Sequence, residues 1–246
     1  MVIQMYRHIS VILICAVGLI LFESSAARSA ENVESLTADI IKAYGGRKAI
    51  ENVRSVYMKG EIKALAFDDR GTYEYYLKRG GKLRVNIRYS RSTEERILNG
   101  NKGYESSGTG FSAISDMQYF GIVYQYRQID LPYALMNDIY RISYEGRTEV
   151  NGREVYVLGL SASGGPQLKI YVDVGKYFIV RVSGIFTMDG GSMTLSSAFS
   201  DFRKVQGIAL PYIITNFAGK QEIAETIVEK YEINGSIADS VFQPVD

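Results

Sequence analysis

From Ser55 onward the chain alternates between apolar and polar residues. Val56, Met58 and Ile62 fall on one side of a period-two pattern, with Tyr57, Lys59, Glu61 and Lys63 on the other. That period puts successive side chains on opposite faces of a sheet, one buried and one wet. Tyr73, Tyr75 and Leu77 repeat it against Glu74, Tyr76 and Lys78. Leu83, Val85, Ile87 and Tyr89 repeat it again against Lys82, Arg84, Asn86 and Arg88. Turns at Asp68–Gly71 and Gly80-Gly81 join the three segments into an antiparallel meander. A further hairpin turns at Asn99–Lys102, and from residue 140 strand patterns separated by short polar turns run on to Ile233. About ten or eleven strands at this spacing predict a large antiparallel sheet. Such a sheet, apolar on one side, curls into an incomplete barrel rather than staying flat.

Three stretches depart from period two. Glu34–Ala43 places Leu36, Ile40 and Ile41 on one helical face, with Ser35 or Thr37 as its cap and Gly45-Gly46 as its stop; Arg47–Val53 follows as a second short helix. The third is central, Asp116 to Asp138, rich in apolar and aromatic residues. It predicts two short helices split at Asp130-Leu131-Pro132, with Asp130 as cap and Pro132 in the first turn of the second. Met117, Phe120, Val123 and Tyr124 belong to the first half, Leu131 and Leu135 to the second. The class is therefore mainly β (α+β), with N-terminal helices and a central helical plug or lid over the concave face.

The first residues carry another signal. Arg7 precedes an uncharged run, Ile9–Phe22, followed by the small polar stretch Glu23–Ala27. This is the build of a secretory signal peptide, its apolar run being short of the roughly 18 residues that span a membrane. Residues 1–27 are expected to be removed, leaving 28–246 as one mature domain. The only Cys (Cys15) and the only His (His8) go with them, and the chain has no Trp. The mature chain thus lacks disulfides, thiolate or imidazole metal sites and Ser-His or Cys-His pairs, so neither enzymatic activity, cofactor nor metal is expected. Glu94-Glu95, Asp68-Asp69 and Glu222 with Glu225 read as solvated charge. With 28 basic against 27 acidic residues and no basic run, nucleic acid is not a partner.

Several pieces resemble a known family. Ala43-Tyr44-Gly45-Gly46-Arg47-Lys48-Ala49-Ile50, with Val53-Arg54-Ser55-Val56 and Gly60 after it, looks like the opening of the outer-membrane lipoprotein-sorting (LolA/LolB-like) carrier superfamily. Val150-Asn151-Gly152-Arg153-Glu154-Val155-Tyr156-Val157-Leu158 and Ile170-Tyr171-Val172-Asp173 are similar to its central hairpin and next strand. Asp201–Pro211 resembles its late hairpin, and Asp239-Ser240-Val241-Phe242-Gln243-Pro244 its ending. The resemblance implies an incomplete barrel whose apolar concavity, closed by helices, holds acyl chains of lipids or lipoproteins. It further implies a periplasmic address. The partners expected are lipid or lipoprotein acyl chains with inner- and outer-membrane donor and acceptor proteins, and the chain is expected to be a monomer. The cargo's identity does not carry over. Arg84 is the nearest match to a family strand arginine, yet its alternation places it on the wet face.

On this reading the ligand-binding residues are Val56, Met58, Tyr73, Tyr75, Leu83, Val85 and Ile87 from the meander, and Met117, Phe120, Val123, Tyr124, Leu131 and Leu135 from the central segment. The function expected is a carrier that transfers acyl chains within the envelope without covalent chemistry. The alternative is an envelope interaction or sensor module with the same fold and a filled interior.

Overall fold

The computed structural model describes residues 33–163, 165–188 and 191–245; the predicted signal peptide lies outside them. Two helices open the described chain, α1 (residues 33–43) and α2 (Arg47–Asn52). Leu36, Ile40 and Ile41 of the first, and Tyr44 just after it, are all buried in the main core. Thr37 does not cap α1: its hydroxyl donates to the Val33 carbonyl at 2.8 Å, one turn back inside the helix. Gly45 ends it, with φ 119°, and a Cβ there would lie 2.2 Å from the Gly207 carbonyl oxygen. Only glycine permits both the backbone angle and that approach.

The strands are β1 (Ser55–Ala64), β2 (Asp69–Lys78), β3 (Lys82–Tyr89), β4 (Thr93–Asn99), β5 (Lys102–Ser106), β6 (Ser112–Ala113), then, after the central helix, β7 (Arg141–Val150), β8 (Arg153–Ser161), β9 (Leu168–Asp173), β10 (Ile179–Met188), β11 (Gly191–Val205), β12 (Ile208–Ala218) and β13 (Gln221–Ile233). They form one antiparallel sheet of 13 strands in the order β6-β5-β4-β3-β2-β1-β13-β12-β11-β10-β9-β8-β7. The count exceeds the ten or eleven expected, in part because the two-residue β6 is too short for any alternation to reveal. The first and last strands meet mid-sheet, where Gly60 absorbs a register shift beneath the backbone of Ile227 and Val228. The edges are β6 and β7, and the sheet is not closed.

Register explains the core. Val56, Leu77, Leu83 and Leu98 form one cross-strand row and Met58, Tyr75 and Val85 the next, all buried on the same face. The chain between the two edges is a single 21-residue helix, α3 (Asp116–Met136), not two. Ser115 begins it with a capping box, its hydroxyl accepting from the Gln118 amide while Gln118 Oε1 accepts from the Ser115 amide at 2.9 Å. Pro132 lies within α3 despite the cost of about 3 kcal/mol that an interior proline carries. Packing offsets that cost, since Leu131, Ala134, Leu135 and Met136 around it are all buried. Asp130 caps nothing; its carboxylate is used in an ion pair described below.

The C-terminal half of α3 is therefore core and not a movable wall. Replacing Leu135, 2% exposed, by Ala is expected to lower stability by about 2–5 kcal/mol, read as a shift in the urea midpoint. A loss under about 1 kcal/mol would mean that this half is loosely seated.

Candidate ligand-binding site

Beneath the N-terminal half of α3 lies a cavity of about 910 Å³, near the upper end of ordinary ligand pockets at about 300–1,000 Å³. Its walls come from β1 to β5 on one side and β11 to β13 on the other, so the sheet wraps around the space and α3 bridges its two halves. Ile62, Tyr73, Ile87, Ile122, Leu195 and Ile214 supply apolar lining. Ala66, Phe67 and Asp68 in the β1–β2 turn and Ser90–Ser92 in the β3–β4 turn also border it, with Phe67 84% exposed beside the opening.

A neutral polar network holds α3 to the β10–β12 wall. Ser197 Oγ, fully buried, accepts from Gln128 Nε2 at 2.8 Å and donates to Asn216 Oδ1 at 2.7 Å. Tyr124 Oη lies 3.1 Å from the same hydroxyl and 3.2 Å from the Val182 carbonyl. Burial pushes the Tyr124 phenol up to about 12, so it stays protonated and able to donate. On the opposite wall Tyr75 Oη reaches the carbonyls of Gln125 and Tyr126 at 3.2 and 3.3 Å.

Farther down, Asp130 is almost wholly enclosed, its side chain 3% exposed. Arg127 Nη1 lies 2.6 Å from Asp130 Oδ2, and Arg79 Nε 3.7 Å from Oδ1. Arg79 also stacks 3.5 Å over the Tyr133 ring and donates to the carbonyls of Ile50 and Glu51 at the end of α2. Burial raises the Asp130 carboxyl to about 6, with both guanidiniums pulling it back down. This knot fixes α3 to α2 and to the β2–β3 turn, leaving the N-terminal half of α3 as the cavity's roof.

Of the residues expected to bind ligand, Tyr73, Ile87 and Tyr124 line this cavity. Val56 borders only a cleft of about 30 Å³ near α2. Met58, Tyr75, Leu83, Val85, Leu131 and Leu135 are buried in the packed core, and Phe120 and Val123 pack half-buried against it. Met117, 37% exposed, lies on the surface. Alternation identifies the inward face but not where that face is packed and where it is empty.

The charged residues bring corrections. Glu94 and Glu95 are not both solvated turn residues. Glu94 faces the cavity, paired with Arg96 at 2.5 Å, while Glu95 on the outer face pairs with Arg84 at 2.9 Å. Arg84 is on the outer face as its alternation requires, yet it is largely covered: it also donates to Asn86 and to the Val241 carbonyl of the C-terminal segment. Asp68 and Asp69 border the cavity. Arg96, Glu105, Gln118, Gln125, Gln128, Ser197 and Asn216 were not singled out by sequence. Cross-strand pairing of Arg96 with Val85 and Glu94 with Ile87 is the signal that assigns β4 its inward face.

By sequence, no family model and no curated protein matches this chain. By structure, a DUF1329-family protein of Desulfovibrio piger is similar with a TM-score of 0.56 at 13% identity, covering 86% of this chain and 97% of that one. A LolA superfamily protein of Nitrosomonas europaea gives 0.55 at 14% identity over 80% and 94%. A Vibrio parahaemolyticus domain named for outer membrane lipoprotein sorting gives 0.54 at 10% identity over 85% and 97%. The fold is LolA-like.

Proposed function

We propose that this chain is an exported envelope carrier that takes the acyl part of a lipid or lipoprotein into the cavity under α3 and passes it on without covalent chemistry. The observation that carries the reading is the 910 Å³ space, lined by Ile62, Tyr73, Ile87, Ile122 and Ile214 and left open by the sheet and α3. An open interior favours a carrier over an interaction module of the same fold with a filled core. The LolA-like fold and the signal-peptide build of residues 1–27 support a periplasmic setting, with membrane-bound donors and acceptors on either side of the transfer.

The energetics suit a shuttle. At about 0.8 kcal/mol per buried methylene, about fifteen of them contribute roughly 12 kcal/mol, and an association cost of about 4 kcal/mol leaves roughly 8. That corresponds to micromolar holding, weak enough for release. Native mass spectrometry of protein purified from the bacterial envelope tests the proposal. Lipid-sized mass increments that disappear on denaturation are expected. A chain that neither retains lipid nor takes it up from vesicles would rule the carrier out.

A further inference from the structure

The cavity is not uniformly greasy: Asp68, Asp69 and Arg91 border it at the β1–β2 and β3–β4 turns, and its β4–β5 wall carries a further charged patch of definite composition. On β4 and β5, Glu94, Arg96 and Glu105 all face inward: Glu94 stands across from Ile87, and Arg96 stands between Val85 on one side and Glu105 on the other. All three line the cavity together with Gln118 of α3. Cross-strand neighbours have Cβ atoms about 5 Å apart, so one cation and two carboxylates share a patch about the size of a single headgroup. Arg96 Nη2 lies 2.5 Å from Glu94 Oε2, and Gln118 Nε2 donates to Glu105. The Arg96 and Glu94 side chains are 29% and 40% exposed, so the pair is open to the cavity and not sealed in packing.

The same inward face on β1 to β3 is wholly apolar where it meets packed core, through Val56, Met58, Tyr75, Leu83 and Val85. It becomes charged only where the wall borders the open space, beside the β3–β4 turn. The apolar lining of Tyr73, Ile87 and Ile122 adjoins it. An amphipathic molecule would place its tail against the isoleucines and its head against Glu94, Arg96 and Glu105.

We infer that the head so held is zwitterionic, a phosphate joined to a primary ammonium as in phosphatidylethanolamine. This rests on the carrier reading above and names its substrate class. This head is the one that engages all three charged groups of the patch. Its phosphate takes Arg96 through charge-assisted hydrogen bonds, while its ammonium sits between Glu94 and Glu105, so the Glu94–Arg96 pair is exchanged for a phosphate–guanidinium pair and an ammonium shared by two carboxylates. An anionic head without an amine would occupy Arg96 and leave Glu94 and Glu105 facing a further negative charge. A purely cationic head would pair with Glu105 and leave Glu94 with Arg96, so the guanidinium would hold no part of it.

The test uses vesicles holding equal amounts of phosphatidylethanolamine and phosphatidylglycerol with identical acyl chains. The full mature chain is incubated with them, and native mass spectrometry reads which lipid it carries away. The wild type is expected to carry phosphatidylethanolamine in about tenfold excess, the discrimination that one well-placed charge pair supplies. In a Glu94→Gln/Glu105→Gln variant, isosteric at both positions, the excess is expected to fall below about threefold through reduced phosphatidylethanolamine loading, while the melting temperature stays near wild type. Equal loading of the two lipids by the wild type, an excess of phosphatidylglycerol, or an unchanged ratio in the variant would overturn the headgroup inference and leave the carrier reading standing. No loading of either lipid would overturn both.

Discussion

Replacing Arg127 by Met is expected to lower stability by about 3–5 kcal/mol at pH 7, the cost of leaving a buried charge without its partner. The penalty should be markedly smaller at pH 4.5. Asp130 is enclosed and its carboxyl raised to about 6, burial outweighing the pull of Arg127 and Arg79. A carboxyl raised on folding contributes stability that is fully present below its ordinary range and is lost as pH rises through the folded value. In the wild type that loss is of order 3 kcal/mol between pH 4 and 7, at about 1.4 kcal/mol per unit. Arg127 limits it, with Nη1 at 2.6 Å, whereas Arg79 Nε is farther away at 3.7 Å. Without Arg127 the carboxyl rises further and the loss deepens, while at low pH the neutral acid needs no cation. Methionine retains most of the aliphatic stem and removes the guanidinium, which lies 5.2 and 5.8 Å from the Tyr126 and Tyr140 ring centroids, so the cationic contacts are what change. Urea unfolding at both pH values checks this. An equal penalty at pH 4.5 and 7 would show that Arg127 acts through packing alone.

That pair also shows where reading the sequence falls short. Asp130-Leu131-Pro132 has the local grammar of a helix start, and local grammar alone divides the segment there. Tertiary burial of Leu131, Ala134 and Leu135 instead carries the helix through the proline, and Arg127 one turn earlier together with the distant Arg79 claims the aspartate. The sheet was far more legible. In β1 to β3 the residues assigned inward by alternation from Val56 to Ile87 are buried and Tyr89, at the end of β3, is half-buried, because a one-residue slip would expose the entire set. β4 was ambiguous for a physical reason: Ile97 and Leu98 are buried on opposite faces and Glu94 and Glu95 are charged on opposite faces, so no period separates them until the partner strand is known. The cavity itself was inferred only as a need of a curled sheet. Its location depends on where α3 stands off from the wall, which is set by Tyr75, Ser197 and Asp130 acting across 50 or more residues of chain.

Filling the cavity from α3 itself is expected to remove acyl binding while leaving the fold intact. Gly121 borders the space, and a Cβ built on it meets nothing within 4 Å. Its substitution by leucine therefore sends an isobutyl group into the volume an acyl chain would occupy, without displacing a neighbour. Stability should hold or rise, since glycine within a helix costs about 0.5–1 kcal/mol relative to a good helix former. This separates loss of binding from loss of folding, which substitutions at Tyr75 or Leu135 in the core would confound. The decisive measurement is the affinity of a fluorescent long-chain acyl probe for wild type and Gly121→Leu, with the melting temperature of each recorded alongside. The carrier account predicts micromolar binding by the wild type, at least a tenfold weaker binding by the variant, and a melting temperature equal or higher. Undiminished binding by a folded Gly121→Leu protein would contradict it, placing the acyl chain somewhere other than under α3.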